Sequence, residues 1–180
     1  AGAAWSGFEI QPAQPFDPHT ALVKVRFQAA VKDAKTGQVT QQTRDEVWPL
    51  RLEDGAWRYN WQNLIDTRTL DVKEEVTAGM TVKPLRIERY TDRIVLTLLV
   101  QNGTNDAIVW GSPSEVVSTF HFGENSVAGD KNRLIFDRLR SYPDTEITVS
   151  GLFSTYPDSV ELRKFTNYNV APWFNFPLTS

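Results

Sequence analysis

Two histidines, His19 and His121, are the only side chains of this chain that ordinarily titrate near neutrality. His19 lies in a proline-punctuated stretch, and His121 stands between Phe120 and Phe122. Neither has a second histidine at metal-ligand spacing. A Ser-His-Asp set needs a histidine beside a nucleophile, and no serine here has a Gly-x-Ser-x-Gly setting. Asp45-Glu46, Glu53-Asp54 and Glu74-Glu75 are adjacent carboxylates. On a strand, neighbours point to opposite faces, so these read as solvated charge rather than acid–base pairs. Residues 124–132, ENSVAGDKN, carry oxygen ligands without the spacing of a calcium loop. Asn102-Gly103-Thr104 is a formal glycosylation sequon that also reads as a turn. The chain has no cysteine, which excludes disulfides, thiol nucleophiles and Cys-ligated zinc. The expectation is a chain that is not an enzyme and carries no cofactor and no metal.

What must be positioned instead is aromatic. In 45–65, DEVWPLRLEDGAWRYNWQNLI, Trp48, Leu50 and Leu52 alternate with Pro49 and Arg51. Asp54-Gly55 makes a turn, and Trp57, Tyr59 and Trp61 alternate with Arg58 and Asn60. This is a β-hairpin with an aromatic face. Phe27, Trp48, Trp57, Tyr59 and Trp61 are therefore the candidate ligand or partner face. The structural alternative is that they form a core stripe.

Hydrophobic residues make up 41% of the 180, enough for a real core. Sixteen of the 21 aromatic residues are Phe or Trp, which points to a core of large apolar side chains. The net charge is −3, with 7 basic and 8 acidic residues in 1–66 and 12 basic and 14 acidic in 67–180. Neither part has the basic surplus that phosphate-backbone binding requires, so nucleic acid is not expected as a partner. No apolar run approaches the roughly 20 residues of a membrane span; the longest, 94–100, suits a buried strand. The chain opens on Ala1-Gly2-Ala3-Ala4 rather than Met, in the manner of a processed or cut terminus, so an upstream anchor or leader belongs to the expectation.

The periodicity predicts a mainly β, antiparallel protein. A short strand begins at Phe8-Glu9-Ile10. Ala21, Val23, Val25, Phe27, Ala29 and Val31 alternate with polar residues, the mark of a strand with one buried face. After the turn at 33–38 comes a long strand over 39–52, with a bulge expected at Pro49, and then the 57–61 strand. Residues 66–75 are polar and without period, so the domain boundary is placed between Asp66 and Thr67. Further strands follow at about 81–90, 93–101, 107–110, 116–122, 133–139, 145–153, 159–165 and 173–178, an antiparallel sandwich pattern. Two spans, 112–117 and 132–141, read equally as short helical segments.

On these residues the first part, about 8–65, resembles the C-terminal sheet of the nuclear transport factor 2-like fold. The likeness lies in the long alternating strand, the Trp48-x-Leu50-x-Leu52 strand, the Glu53-Asp54-Gly55 turn and the closing Trp57-x-x-x-Trp61. The chain departs from that fold in having no amphipathic helix before Phe8 to cover the sheet. Enzymes of this fold place Asp, Tyr or His in the cone, and the corresponding residues here are Tyr59, Asp45 and Arg26. Residues 67–180 look like the immunoglobulin-like domains of bacterial lipoproteins and exported accessory proteins. That likeness rests on Val100-Gln101-Asn102, the acidic turn before 145, and Val160-Glu161-Leu162 after Tyr156-Pro157-Asp158.

The resemblances imply an exported, extracytoplasmic accessory or scaffold protein, periplasmic or at the cell surface, that works through a protein partner or self-association. Two other readings stay open: a small-ligand binder or degenerate enzyme using the aromatic face, and a structural subunit of a larger assembly. The face carrying Val23, Val25, Phe27, Trp48 and Trp57 is expected to be covered by the second domain or by a partner chain.

Overall fold

The computed structural model describes residues 2–166 and 172–178. Every regular element among them is a strand, and every strand pair is antiparallel. The chain divides into two compact units, the first ending at Asn63 and the second beginning at Leu64.

The first unit is one sheet made from β1 (Gly2–Ile10), β2 (Gln14–Asp17), β3 (Thr20–Lys32), β4 (Val39–Glu53) and β5 (Ala56–Tyr59). The strands run in the order β1-β3-β4-β5, with β2 also beside β3. β3 and β4 pair without interruption from Thr20–Arg51 to Lys32–Val39, a ribbon roughly 40 Å long at about 3.3 Å per residue. At its tip the Asp33 carboxylate accepts backbone N–H bonds from Lys35 and Thr36, both at 2.8 Å. Those two donors hold the Asp33 carboxyl below its ordinary value. At the other end, Asp54 and Gly55 both have positive φ, 50° and 77°, as a two-residue hairpin turn requires.

The expected bulge at Pro49 is absent. The Pro49 carbonyl accepts from the Asn60 N–H on the side away from β3. The missing proline N–H would have pointed the same way, so no ladder bond is lost.

The second unit contains β6 (Leu64–Thr69), β7 (Glu75–Thr77), β8 (Met80–Tyr90), β9 (Arg93–Asn102), β10 (Ile108–Trp110) and β11 (Ser118–Phe122). It continues with β12 (Asn125–Ala128), β13 (Leu134–Phe136), β14 (Arg140–Ser150), β15 (Ser159–Leu162), β16 (Phe165–Thr166) and β17 (Phe174–Pro177). They form three sheets, β14-β9-β8-β6 with β7 beside β8, β12-β11-β15-β17, and β13-β10-β16. Residues from all three sheets meet in a single core, as in a sandwich. Met80, Leu96, Leu98, Phe120, Val160 and Phe174 are fully buried there. Trp110 stacks on Phe165 with ring centroids 4.3 Å apart, and its indole N–H donates to the Arg163 carbonyl at 2.7 Å.

The break between units falls at Asn63/Leu64 rather than Asp66/Thr67, because 64–69 is strand β6 of the second unit. Apart from Ile65, which is buried, and Leu64, which is partly so, its residues are exposed, and pairing with β8 runs through the backbone. A strand held that way leaves no apolar alternation to read. The helical alternatives fail for related reasons. Residues 112–117 form a turn closed by the Glu115 N–H on the Ser112 carbonyl, and 132–141 hold the short β13 and the start of β14.

Candidate binding face

Directly opposed residues of an antiparallel pair share a face. The register therefore puts Val23 with Trp48, Ala21 with Leu50 and Tyr59, Leu52 with Trp57, Val25 with Ile10, and Phe27 with Phe8 on one side of the first sheet. The period-2 pattern thus brings Phe27, Trp48, Trp57 and Tyr59 to one face, and Trp61 joins them from the turn beyond through its contact with Tyr59. Phe27 and Trp48 lie 5.7 Å apart, Trp48 and Tyr59 5.5 Å, and Tyr59 and Trp61 4.7 Å between ring centroids. The last two contacts are edge-to-face, the arrangement aromatic quadrupoles favour. Trp61 lies beyond β5 rather than in it, in a turn where the Asn60 side chain accepts the Gln62 N–H.

Exposure rises along this row. Val25 is 1% exposed at the base of the face, Trp48 is partly buried, Trp57 is 48% exposed and Trp61 85%. The Trp48 indole N–H donates to the Glu46 carboxylate at 3.0 Å, and Glu46 is paired in turn with Arg44 at 3.0 Å. This tether holds the indole between Phe27 and Tyr59.

Asp45 and Arg26 lie on the other face. Arg26 forks onto the Asp45 carboxylate at 2.8 and 3.1 Å, and Lys24 approaches it at 3.3 Å. The hydrogen bond from Arg26 and the nearby Lys24 lower the Asp45 carboxyl to about 2, and the same pairing raises Arg26. The sheet therefore stands between Tyr59 and the Asp45–Arg26 pair, and the three do not form one site.

The remaining candidates are placed just as plainly. His19 is exposed, and its carbonyl accepts from the Leu52 N–H. On β11, His121 has its Nε2 3.7 Å from a Glu161 oxygen, and Glu161 also pairs with Arg163. Within 124–132, Asp130 accepts from the Ser150 N–H at 3.2 Å and from the Ser150 hydroxyl at 2.9 Å, which latches the loop after β12 to the end of β14. Among the described residues no three His, Asp or Glu side chains converge as metal ligands would. Asn102 of the sequon is 1% exposed, and its amide donates to the Asp106 and Phe136 carbonyls at 2.8 and 2.9 Å. In the fold this side chain is a buried brace, with both amide protons engaged.

Sequence reasoning missed one polar cluster. Arg89, 6% exposed, donates to the Ser154 carbonyl at 2.7 Å and to Asp66 at 3.3 Å. Tyr156 donates its hydroxyl to the same Asp66 carboxylate, and the Arg68 guanidinium lies 4.1 Å over the Tyr156 ring. The one available signal was phase: Arg89 follows Ile87 on the inward side of β8. The second unit also holds a surface cavity of about 330 Å³, floored by Leu70, Val72, Phe176 and Leu178 and rimmed by Arg68, Asp71, Lys73 and Glu75.

No helix among the described residues is long and apolar enough to cross a membrane. No family model, curated protein or solved structure matches this chain.

Proposed function

We propose that the chain is a non-catalytic, exported accessory or scaffold protein that docks a protein partner on the aromatic face of its first unit. The observation that carries this reading is the row Phe27–Trp48–Tyr59–Trp61, held rigid at Trp48 and increasingly exposed toward Trp61. Pre-positioned Trp and Tyr rings are the side chains that dominate protein interfaces, because they bring large area at small entropic cost. The occupied space around Trp48 favours a surface contact over an enclosed ligand, and the separation of Tyr59 from Asp45 and Arg26 favours binding over chemistry. We further take the first unit as the sheet portion of a nuclear transport factor 2-like domain and the second as immunoglobulin-like. The long β3–β4 ribbon, the Asp-Gly turn from β4 into β5, and the antiparallel sheets around one core support that assignment.

The test is site-specific photo-crosslinking in the native host, with the reactive residue at position 61 or, as a control, at Trp173, which is exposed in the second unit. A discrete protein adduct from position 61 that is absent from position 173 and lost in Trp57→Ser supports the face. The same adducts from both positions overturn it.

A further inference from the structure

The edge of β4 opposite β3 is only partly covered by another strand. β5 covers that edge only from Leu50 to Glu53. Among the described residues no strand lies alongside 39–47 on that side. The direction of the main-chain groups follows from two bonds. The Leu52 N–H donates toward β3, to the His19 carbonyl, while the Pro49 carbonyl accepts from Asn60 on the far side. Alternation along the strand then points the N–H and C=O groups of Val39, Thr43, Asp45 and Val47 outward.

Exposed edges are normally blunted by proline, lysine, a bulge or shortness. β1, at the other side of the sheet, has a register shift between Trp5 and Gly7. The 39–47 edge has no shift, no proline and no lysine. Its charged residues are already paired within the chain, Arg44 with Glu46 and Asp45 with Arg26.

We propose that 39–47 pairs antiparallel with the same segment of a second copy, on a two-fold axis at Thr43, so that two first-unit sheets become one. Self-complementarity selects both the partner and the register. A two-fold contact sets each residue against its mirror position about the axis. An axis at Arg44 opposes Arg44 to itself. An axis at Asp45 opposes Asp45 to itself and brings Pro49, which has no N–H, into the ladder. An axis at Thr43 opposes Thr43 to Thr43, Arg44 to Gln42, Glu46 to Thr40, and Val39 to Val47. The two valines are 57% and 54% exposed in the single chain. No like charges meet, and the paired length is the greatest of the three. This surface is distinct from the aromatic face, and loss of either leaves the other intact.

Light scattering of the full chain is expected to give twice the single-chain mass; a single-chain mass at the highest soluble concentration overturns the proposal. Thr43→Pro deletes an N–H that the β3 ladder does not use, so it is expected to yield monomer with unchanged thermal melting. A folded Thr43→Pro protein that stays dimeric overturns the proposal. The chain has no cysteine of its own, so register can be read independently. Thr43→Cys is expected to oxidise to a covalent dimer, since opposed Cα atoms at about 5.5 Å suit a disulfide. Val39→Cys and Val47→Cys are expected to cross-link only when mixed. Cross-linking of either one alone, or none from Thr43→Cys, rejects this register.

Discussion

In the second unit Trp110 is fully buried, stacked on Phe165 and hydrogen-bonded to the Arg163 carbonyl, within a core that three sheets share. In the first unit Tyr59 and Trp61 meet edge to face on a single sheet, and Trp61 keeps 85% of its surface open. Both regions are rich in aromatic rings at strand spacing, so ring density does not report burial. What decides it is a second layer. The second unit closes sheet over sheet and spends its rings on packing, whereas the first holds its rings in order along an open face. The rings of the first unit are thus ordered without being fully buried.

This contrast can be broken at three points. The largest effect is expected at Trp110→Ala, which should destabilise the second unit by about 3–5 kcal/mol, read as a shift of the urea midpoint. A loss near zero would mean that the core is not close-packed around that indole.

A smaller effect is electrostatic and belongs to the first unit. Asp45 has a folded value of about 2, below the ordinary carboxylate value of about 3.9. Its pairing with Arg26 and Lys24 therefore stabilises fully above roughly pH 4 and is lost as the pH falls through about 2. Asp45→Asn is expected to flatten that part of the acid-stability curve, converging with the parent chain at the acid end. Because the pair is exposed, the difference is expected to be modest and to shrink in high salt. An NMR titration placing the Asp45 carboxyl near 4 would refute it.

The smallest effect is expected at Trp61→Ala, which should change stability by no more than about 0.5 kcal/mol while removing much of the fluorescence that iodide quenches. A cost near that of Trp110→Ala would show that Trp61 is buried in solution and erase the contrast.

Periodicity made much of this architecture readable in advance. The alternation at 21–31 corresponds to β3, the apolar run at 94–100 falls within β9, and Asp54-Gly55 turns the chain as its residue types require. The five aromatic residues also come together as their spacing suggests, although Trp61 does so from a turn. What escaped was of two kinds. Strands held mainly by backbone pairing, such as β6 and β12, carry little apolar pattern and look like loops. Polar contacts between distant residues leave no local trace, as at Arg89, whose Asp66 and Ser154 partners come from separate strands and turns. The face separation of Tyr59 from Asp45 follows from parity alone once the register is known, yet register depends on turn length rather than on the candidate residues themselves.

The contact between Asp66 and Tyr156 spans 90 positions of chain. During synthesis β6 emerges first, with one apolar side chain turned fully inward. Its carboxylate meets Arg89 of β8 early, and Tyr156 only once β14 has left the ribosome. The opening strand of that unit is therefore held first by β8, and the turn that follows β14 fastens it a second time, late in synthesis.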